Sequence, residues 1–307
     1  MILNFQTILF CLPGFAEKII DSIQPPILLI HIFIPSSYLE GSGKILEIAK
    51  EKGIPVTALG NLSSEEVLNF IRKLDPSLII SSSYNEKFPA ALLKLLKYGA
   101  LNIHPSLLPF FRRPDPCFWA IKKGESQTGL SIHYMNEEFD KGEILVQRKL
   151  KITEEETSGS LFNKMSDLLP VLLKEAFVKL IQTEGSPDKL PQKENEGSYF
   201  GKVKNSTLYL KPETMTANEA HKLIRAANPF YGARISCGST FIKIWQASIR
   251  KEPLINSVKS GKYFFTEGIY FFLKMKEDFI FPEIVQFADL QLCTNELFLK
   301  KYKAYLD

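Results

Sequence analysis

For roughly the first hundred residues, short apolar runs closed by turn residues alternate with stretches of helical spacing, the pattern of a parallel sheet wound with helices on both faces. Thr7 to Leu12 is a buried-strand run stopped by Pro13-Gly14. Phe15 to Ile23 then puts Phe15, Ile19, Ile20 and Ile23 on one helical face before Pro25-Pro26 breaks it. Ile27 to Ile34 reads as a second strand, and Lys44 to Lys52 as a helix with Ile45, Ile48 and Ala49 inward and Gly53 at its end. Ile54 to Thr57 is a third strand. Ser64 with Glu65 and Glu66 looks like a helix start running to Leu74, and Leu78 to Ser81 is the next strand. In such sheets ligands gather at the carboxyl ends of the strands. Three segments are expected to meet there: Ser81 to Phe88, the end of a strand at Leu101 to His104, and a loop from Asn136 to Asp140.

Asn102 and His104 are two positions apart in an extended, apolar-flanked run, so both side chains point to one side of a strand. Pro105 removes a backbone donor and disfavours helical geometry at His104, which ends the strand where the two polar groups emerge. An amide beside an imidazole at such a strand end can hold a developing oxyanion while a proton moves. An isolated Asn-x-His is more often a turn cap beside a structural histidine. The surrounding residues decide between the two readings.

Asn102-Ile103-His104-Pro105-Ser106-Leu107-Leu108-Pro109 is followed by Phe111-Arg112, Pro116, Trp119-Ala120-Ile121, Gly124-Glu125, Thr128-Gly129, His133 and Asp140-Lys141-Gly142. In order and spacing this resembles the folate-dependent formyltransferases, a family that includes the glycinamide ribonucleotide, methionyl-tRNA and amino-sugar N-formyltransferases. The resemblance implies transfer of a formyl group from 10-formyltetrahydrofolate, as co-substrate, to a primary amine, with no metal. It implies Asn102, His104 and Asp140 as the catalytic residues. It also implies that Tyr84, Asn85, Glu86, Lys87 and Phe88, with Asn136, Glu137, Phe139 and Asp140, wrap the pterin, largely through backbone groups. Phe88 reads equally well as a wall of that site and as core. His133 is expected to be structural or outward-facing, because His104 is better placed for catalysis. Arg113 departs from the pattern, since relatives generally carry glycine after the arginine. The fold that the resemblance implies is α/β, with a Rossmann-like, mostly parallel sheet (the formyltransferase fold) followed by a small OB-like β-barrel.

Beyond the motif, Gly129 to Met135 and Gly142 to Leu150 read as a pair of strands, and Thr157 to Ile181 as a long amphipathic helix that Pro170 should kink or break. The polar stretch from Gln182, with Gly185, Pro187 and Pro191, reads as a linker. Met215 to Ala226 is helix-like, and the short runs after Ala233 suggest the barrel. The expected division is 1–182 catalytic, 183–203 linker and 204–307 C-terminal domain. Ile224-Arg225-Ala226, Asn228-Pro229, Gly232-Ala233 and Lys243-Ile244-Trp245 resemble the C-terminal domain of the methionyl-tRNA and amino-sugar enzymes, which argues against glycinamide ribonucleotide as the acceptor.

A net charge of +4, its basic excess lying in the last third, would suit a polyanion if the lysines were clustered. They are dispersed, so a solvated surface is the simpler reading. Only Pro35 to Gly43 separate the second strand from the next helix, where methionyl-tRNA enzymes usually carry a longer basic insertion. Trp119 and Tyr199-Phe200-Gly201 also look more like the amino-sugar group. The expected acceptor is therefore a nucleotide-linked amino sugar or similar small amine, with methionyl-tRNA as the alternative; a hydrolase or a non-catalytic folate binder ranks lower. Four scattered cysteines, no apolar run of membrane length and no cationic segment ahead of the first apolar stretch point to the cytoplasm and to no membrane partner. A homodimer is compatible with all of this.

Overall fold

A computed structural model describes residues 4–193, 195–251 and 258–306. Met1-Ile2-Leu3, where the chain was read for a leader, and Glu194 of the expected linker lie outside the described residues. The chain forms two compact units, one of residues 1–113, 128–151 and 163–200, the other of residues 114–127, 152–162 and 201–307.

The first unit carries seven strands in the order β3-β2-β1-β4-β5-β6-β7. They are β1 (Phe5–Cys11), β2 (Ile27–Pro35), β3 (Val56–Leu59), β4 (Leu78–Ser82), β5 (Ala100–His104), β6 (Gln127–Tyr134) and β7 (Ile144–Lys151). β1 to β5 pair in parallel and β6 runs antiparallel to β5, which makes this the Rossmann-like, mostly parallel sheet. The order reverses between β1 and β4, so the ligand-binding crevice of such a fold falls beyond Cys11 and Ser82.

The helices are positioned by their apolar stripes. α1 (Ala16–Ser22) buries Ala16, Ile19 and Ile20, and α2 (Gly43–Glu51) buries Ile45 and Ala49. α3 (Glu65–Leu74) is capped by Ser64, whose hydroxyl accepts from the Val67 N–H, with Glu65 and Glu66 in the first turn where the helix dipole favours acids. A one-turn α4 (Ala90–Leu93) precedes β5. One face of the sheet packs Ile8, Phe10, Phe33, Leu68, Ile71, Ile79 and Leu92 into a dry core.

α5 (Pro116–Lys123) carries proline in its first turn. One expectation needs correction in part. Pro170 neither ends nor splits its helix: α6 (Ser158–Gln182) runs through it for 25 residues. A proline inside a helix costs about 3 kcal/mol, whereas each buried Leu or Met contributes about 1.5–3 kcal/mol. Leu161, Met165, Leu169, Leu172, Leu173 and Leu180 are all buried along one stripe and outweigh that cost.

The second unit is the OB-like part, an antiparallel sheet of β8 (Ala233–Cys237), β9 (Thr240–Arg250), β10 (Val258–Lys259), β11 (Phe264–Glu267), β12 (Tyr270–Lys274), β13 (Phe279–Phe287) and β14 (Leu292–Thr294). α7 (Ala217–Ala227) begins at Thr216 with a capping box to Glu219. α8 (Asn295–Tyr302), which the strand-like reading of this region passed over, begins at Thr294 and buries Phe298 against Phe271.

Candidate active site

β5 delivers Asn102 and His104 to one side at its carboxyl end, as its pleat requires. The turn that follows is held from below. Ser131 on β6 donates to the Ser106 carbonyl (2.7 Å) and accepts from the Leu108 N–H (3.2 Å), while Gln147 on β7 donates to both the Leu108 carbonyl and Ser131 (2.9 and 2.8 Å). His104 is buried, and its Nε2 donates to the Phe111 carbonyl at 2.9 Å. That bond fixes the neutral tautomer with the proton on Nε2, leaving the Nδ1 lone pair as the basic position.

Asp140 answers from the irregular loop between β6 and β7. It sits in the left-handed region (φ 57°), which Asp tolerates better than most residues. Its Oδ1 lies 3.4 Å from Asn102 Nδ2, 3.6 Å from His104 Nδ1 and 3.7 Å from His133 Nε2, and its Oδ2 accepts the Arg113 peptide N–H at 2.7 Å. Gly142 closes the loop against β6. A Cβ there would lie 1.8 Å from the Tyr134 carbonyl oxygen, so no other residue fits.

His133 was expected to be structural or outward-facing, and the outward-facing half of that reading is overturned. It is 1% exposed and pairs across the sheet with Asn102. Its Nδ1 donates to the Tyr134 carbonyl (2.8 Å), so Nε2 accepts from the Asn102 amide (3.1 Å). Asn102 thus donates one N–H firmly to His133 and the other over 3.4 Å to Asp140. The second is at the long end for a hydrogen bond and is free to turn to a substrate oxygen.

Burial opposes the Asp140 charge, yet His104, His133 and the Arg113 N–H outweigh it and hold the carboxyl below the usual carboxylate range. Burial pushes the His104 imidazole down; Asp140 and the Phe111 carbonyl pull it up without reversing that, while His133 and Arg112 add to the lowering. Near neutral pH the group is therefore an ionised Asp140 beside a neutral His104.

Further residues brace the site. Arg112 is almost fully buried. Its guanidinium donates twice to Gln192 Oε1 (3.1 and 2.8 Å) and once to the Tyr199 hydroxyl (2.7 Å). Ser198 Oγ accepts the Phe111 N–H (2.9 Å), and Phe200 stacks on the Phe111 ring. The stretch read as a linker is thus part of the first unit's wall as far as Phe200.

Of the residues that the resemblance assigned to the pterin, Tyr84 and Phe88 pack in the core on Phe10. Asn85 and Lys87 are exposed and Glu86 is half-buried. Asn136 and Glu137 are exposed, and the Asn136 side chain accepts the Glu138 N–H in a local turn. Phe139 is 37% exposed between Lys87 and Arg113. Two buried polar atoms at this end of β4, Ser82 Oγ and the Tyr84 hydroxyl, have no partner among the described residues. No group of three or more His, Cys, Asp or Glu suited to a metal occurs among the described residues.

Residues 39–177 match the formyl transferase family model. A methionyl-tRNA formyltransferase from Lactobacillus johnsonii is 35% identical over 203 residues, 66% of this chain and 64% of that protein. The chain therefore spans a little under two thirds of that relative's length. An N-formyltransferase from Helicobacter canadensis, solved with folinic acid and dTDP-3-aminofucose, superposes with a TM-score of 0.65 at 17% identity, covering 91% of this chain and 98% of the other. HypX from Aquifex aeolicus, solved with tetrahydrofolic acid, gives 0.64 at 15% identity over 96% of this chain and 47% of its own length. The motif of residues 102–142 lies inside the matched span, and over residues 39–177 the chain matches the formyl transferase family.

Proposed function

We propose that the protein transfers the formyl group of 10-formyltetrahydrofolate to a primary amine. The observation that carries this reading is the convergence of Asn102, His104 and Asp140 on one point at the carboxyl end of β5, within 3.4–3.6 Å. The co-substrate supplies the activated one-carbon unit, and the protein supplies alignment and charge placement. Asn102 turns its loosely held N–H to the oxygen that gains charge as the amine adds to the formyl carbon. His104 Nδ1, its proton kept on Nε2 by Phe111, accepts the amine proton. Asp140 stabilises the imidazolium so formed without itself being protonated; the imidazolium then gives that proton to N10 of the folate as the bond between N10 and the formyl carbon breaks, which releases tetrahydrofolate and the formylated amine. The unpartnered Ser82 hydroxyl and Tyr84 hydroxyl fit a polar heterocycle seated beyond β1 and β4, and Phe139 offers it an apolar edge. Both the Helicobacter canadensis enzyme and HypX were solved with folates, which supports the same choice of donor.

For the acceptor we favour a small nucleotide-linked amine such as an amino sugar. Only two short turns of 3-10 helix at Ser36–Ser42 join β2 to α2, so no basic arm reaches from that edge. The second reading, methionyl-tRNA, is favoured by the 35% identity to the Lactobacillus johnsonii enzyme. Purified protein given 10-formyltetrahydrofolate with either dTDP-3-aminofucose or methionyl-tRNA decides between them, followed by mass spectrometry of the product. Formylation of the sugar nucleotide at a rate indifferent to salt supports the first reading. Formylation of the tRNA with affinity falling steeply with salt supports the second. Release of formate without any amine would reject transfer altogether.

A further inference from the structure

The loop bearing Asp140 has no regular structure of its own, and Asn136, Glu137, Glu138 and Phe139 ahead of the acid are exposed. What holds the acid's backbone is a residue from the stretch that reads as linker. Gln192 Nε2 donates to the carbonyls of Asp140 (2.9 Å) and Gly142 (2.7 Å), one residue apart on either side of Lys141. Its Oε1 accepts two N–H groups from the buried Arg112 guanidinium. Every polar hydrogen-bonding position of the amide head is thus engaged, and only a carboxamide offers both an acceptor to Arg112 and a pair of donors to the two carbonyls.

We propose that Gln192 is a positioning residue for formyl transfer: its amide, anchored on Arg112, sets where Asp140 stands relative to Asn102 and His104. The inference rests on the formyl-transfer reading of this site. Arg112 sits in the middle of a segment that addresses the site at three successive residues. The Phe111 carbonyl accepts the hydrogen bond of His104 Nε2–H, the Arg112 side chain fixes Gln192, and the Arg113 N–H meets the Asp140 carboxylate. A mere staple between segments could close on any exposed peptide. This one closes on the two carbonyls that bracket the turn of the acid itself, so movement at residue 192 displaces Asp140 before anything else.

Two substitutions separate positioning from folding. Gln192→Glu keeps the acceptor for Arg112 and gains an ion pair with it, while losing both donors. It should melt no lower than the parent, yet lose about 10- to 100-fold in kcat, the scale of a misplacement of about 1 Å, with the KM for 10-formyltetrahydrofolate nearly unchanged. Gln192→Ala adds no charge and serves for titration. His104, followed by NMR against pH, should titrate lower than in the parent, because a displaced Asp140 no longer raises its basicity against the lowering by burial, His133 and Arg112. A merely structural role would leave that titration where it is. Parent-like kcat in Gln192→Glu together with an unmoved His104 titration in Gln192→Ala would overturn the proposal. A parent that formylates no amine would overturn the functional reading instead, while the titration still reports whether Gln192 places the acid.

Discussion

β5 and the 183–200 stretch hold the same site by opposite means. In β5, the direction of Asn102 and His104 follows from the pleat, and neighbouring strands on both sides lock the register. Among the described residues of 183–200, the backbone makes only isolated bridges, Leu190 to Ile144 and Tyr199 to Arg112, and individual side chains reach inward between them: Gln192 to the Asp140 loop, Ser198 to Phe111, Tyr199 to Arg112. A strand sets direction through its repeat, so two residues suffice to infer where they point. An irregular segment sets position one hydrogen bond at a time, and each such bond is visible only in three dimensions. The two means also differ in what they tolerate. Removing a side chain from β5 leaves the strand paired, whereas removing one from the irregular stretch releases the backbone it was holding.

The largest effects are expected where β5 meets the reacting atoms. Asn102→Ala removes the proposed oxyanion donor and should lower kcat by about 10²–10³-fold, the usual cost of one such donor, with the fold retained because β5 keeps its backbone ladder. Steady-state kinetics with 10-formyltetrahydrofolate and the formylated amine identified above measures it. A loss below about threefold would move the oxyanion role to another group.

Next comes the glycine at the end of the irregular loop. Gly142→Ala puts a Cβ into the Tyr134 carbonyl, and backbone against backbone cannot give way as a flexible side chain would. Overpacking costs of about 1–3 kcal/mol are typical, and this contact belongs at the upper end. Urea unfolding should show a lower midpoint with an unchanged slope. Asp140 should be displaced as well, so kcat should fall with stability. A drop in stability without one in kcat would mean the loop absorbs the strain away from the acid.

The ionisation of the pair gives a third measure. His104 is held below its ordinary value of 6.5 by burial, so between those two values the unfolded chain binds a proton that the folded one does not. Stability should therefore fall as pH drops below about 6.5. Asp140, depressed below its ordinary 3.8, adds a second loss as pH falls through and below that value. His104→Gln should flatten the first of these slopes in urea-unfolding curves taken at stepped pH. An unchanged slope would assign it to another group.

The legibility of the molecule follows the same division. The strands β1, β2, β4 and β5, the helices α2 and α3 and the cap at Ser64 could be read because repeat and turn chemistry act locally. Of the kink or break expected at Pro170, the break does not occur, because the buried stripe that offsets the local cost is not visible at the proline itself. His133 was missed for a different reason. Its neighbour across the sheet is 31 residues away, and spacing along one strand says nothing of that pairing. Arg112 looked like one motif residue among many, although its burial and its bonds to Gln192 and Tyr199 make it the anchor of the irregular wall. Gln192 carried no signal at all, since a glutamine amid polar residues looks like any solvated linker residue.

Arg113 should give the smallest effect. Its backbone is left-handed (φ 76°), where the resemblance leads one to expect glycine, and its peptide N–H, available from any residue except proline, is what meets Asp140. Arg113→Gly relieves a left-handed cost of about 1–2 kcal/mol, against about 0.5–1 kcal/mol for the added freedom of glycine in the unfolded chain. The balance is a gain of about 0.5–1 kcal/mol, a rise of a few degrees at most in melting temperature for a protein of this size. Because the N–H persists, kcat should stay within about twofold of the parent, a difference of under 0.5 kcal/mol. A lower melting temperature would show instead that the guanidinium's contact with Phe139, 5.9 Å from the ring centroid, contributes more than the backbone loses. The irregular half of the site would then be held at this point by a side chain and not by its peptide.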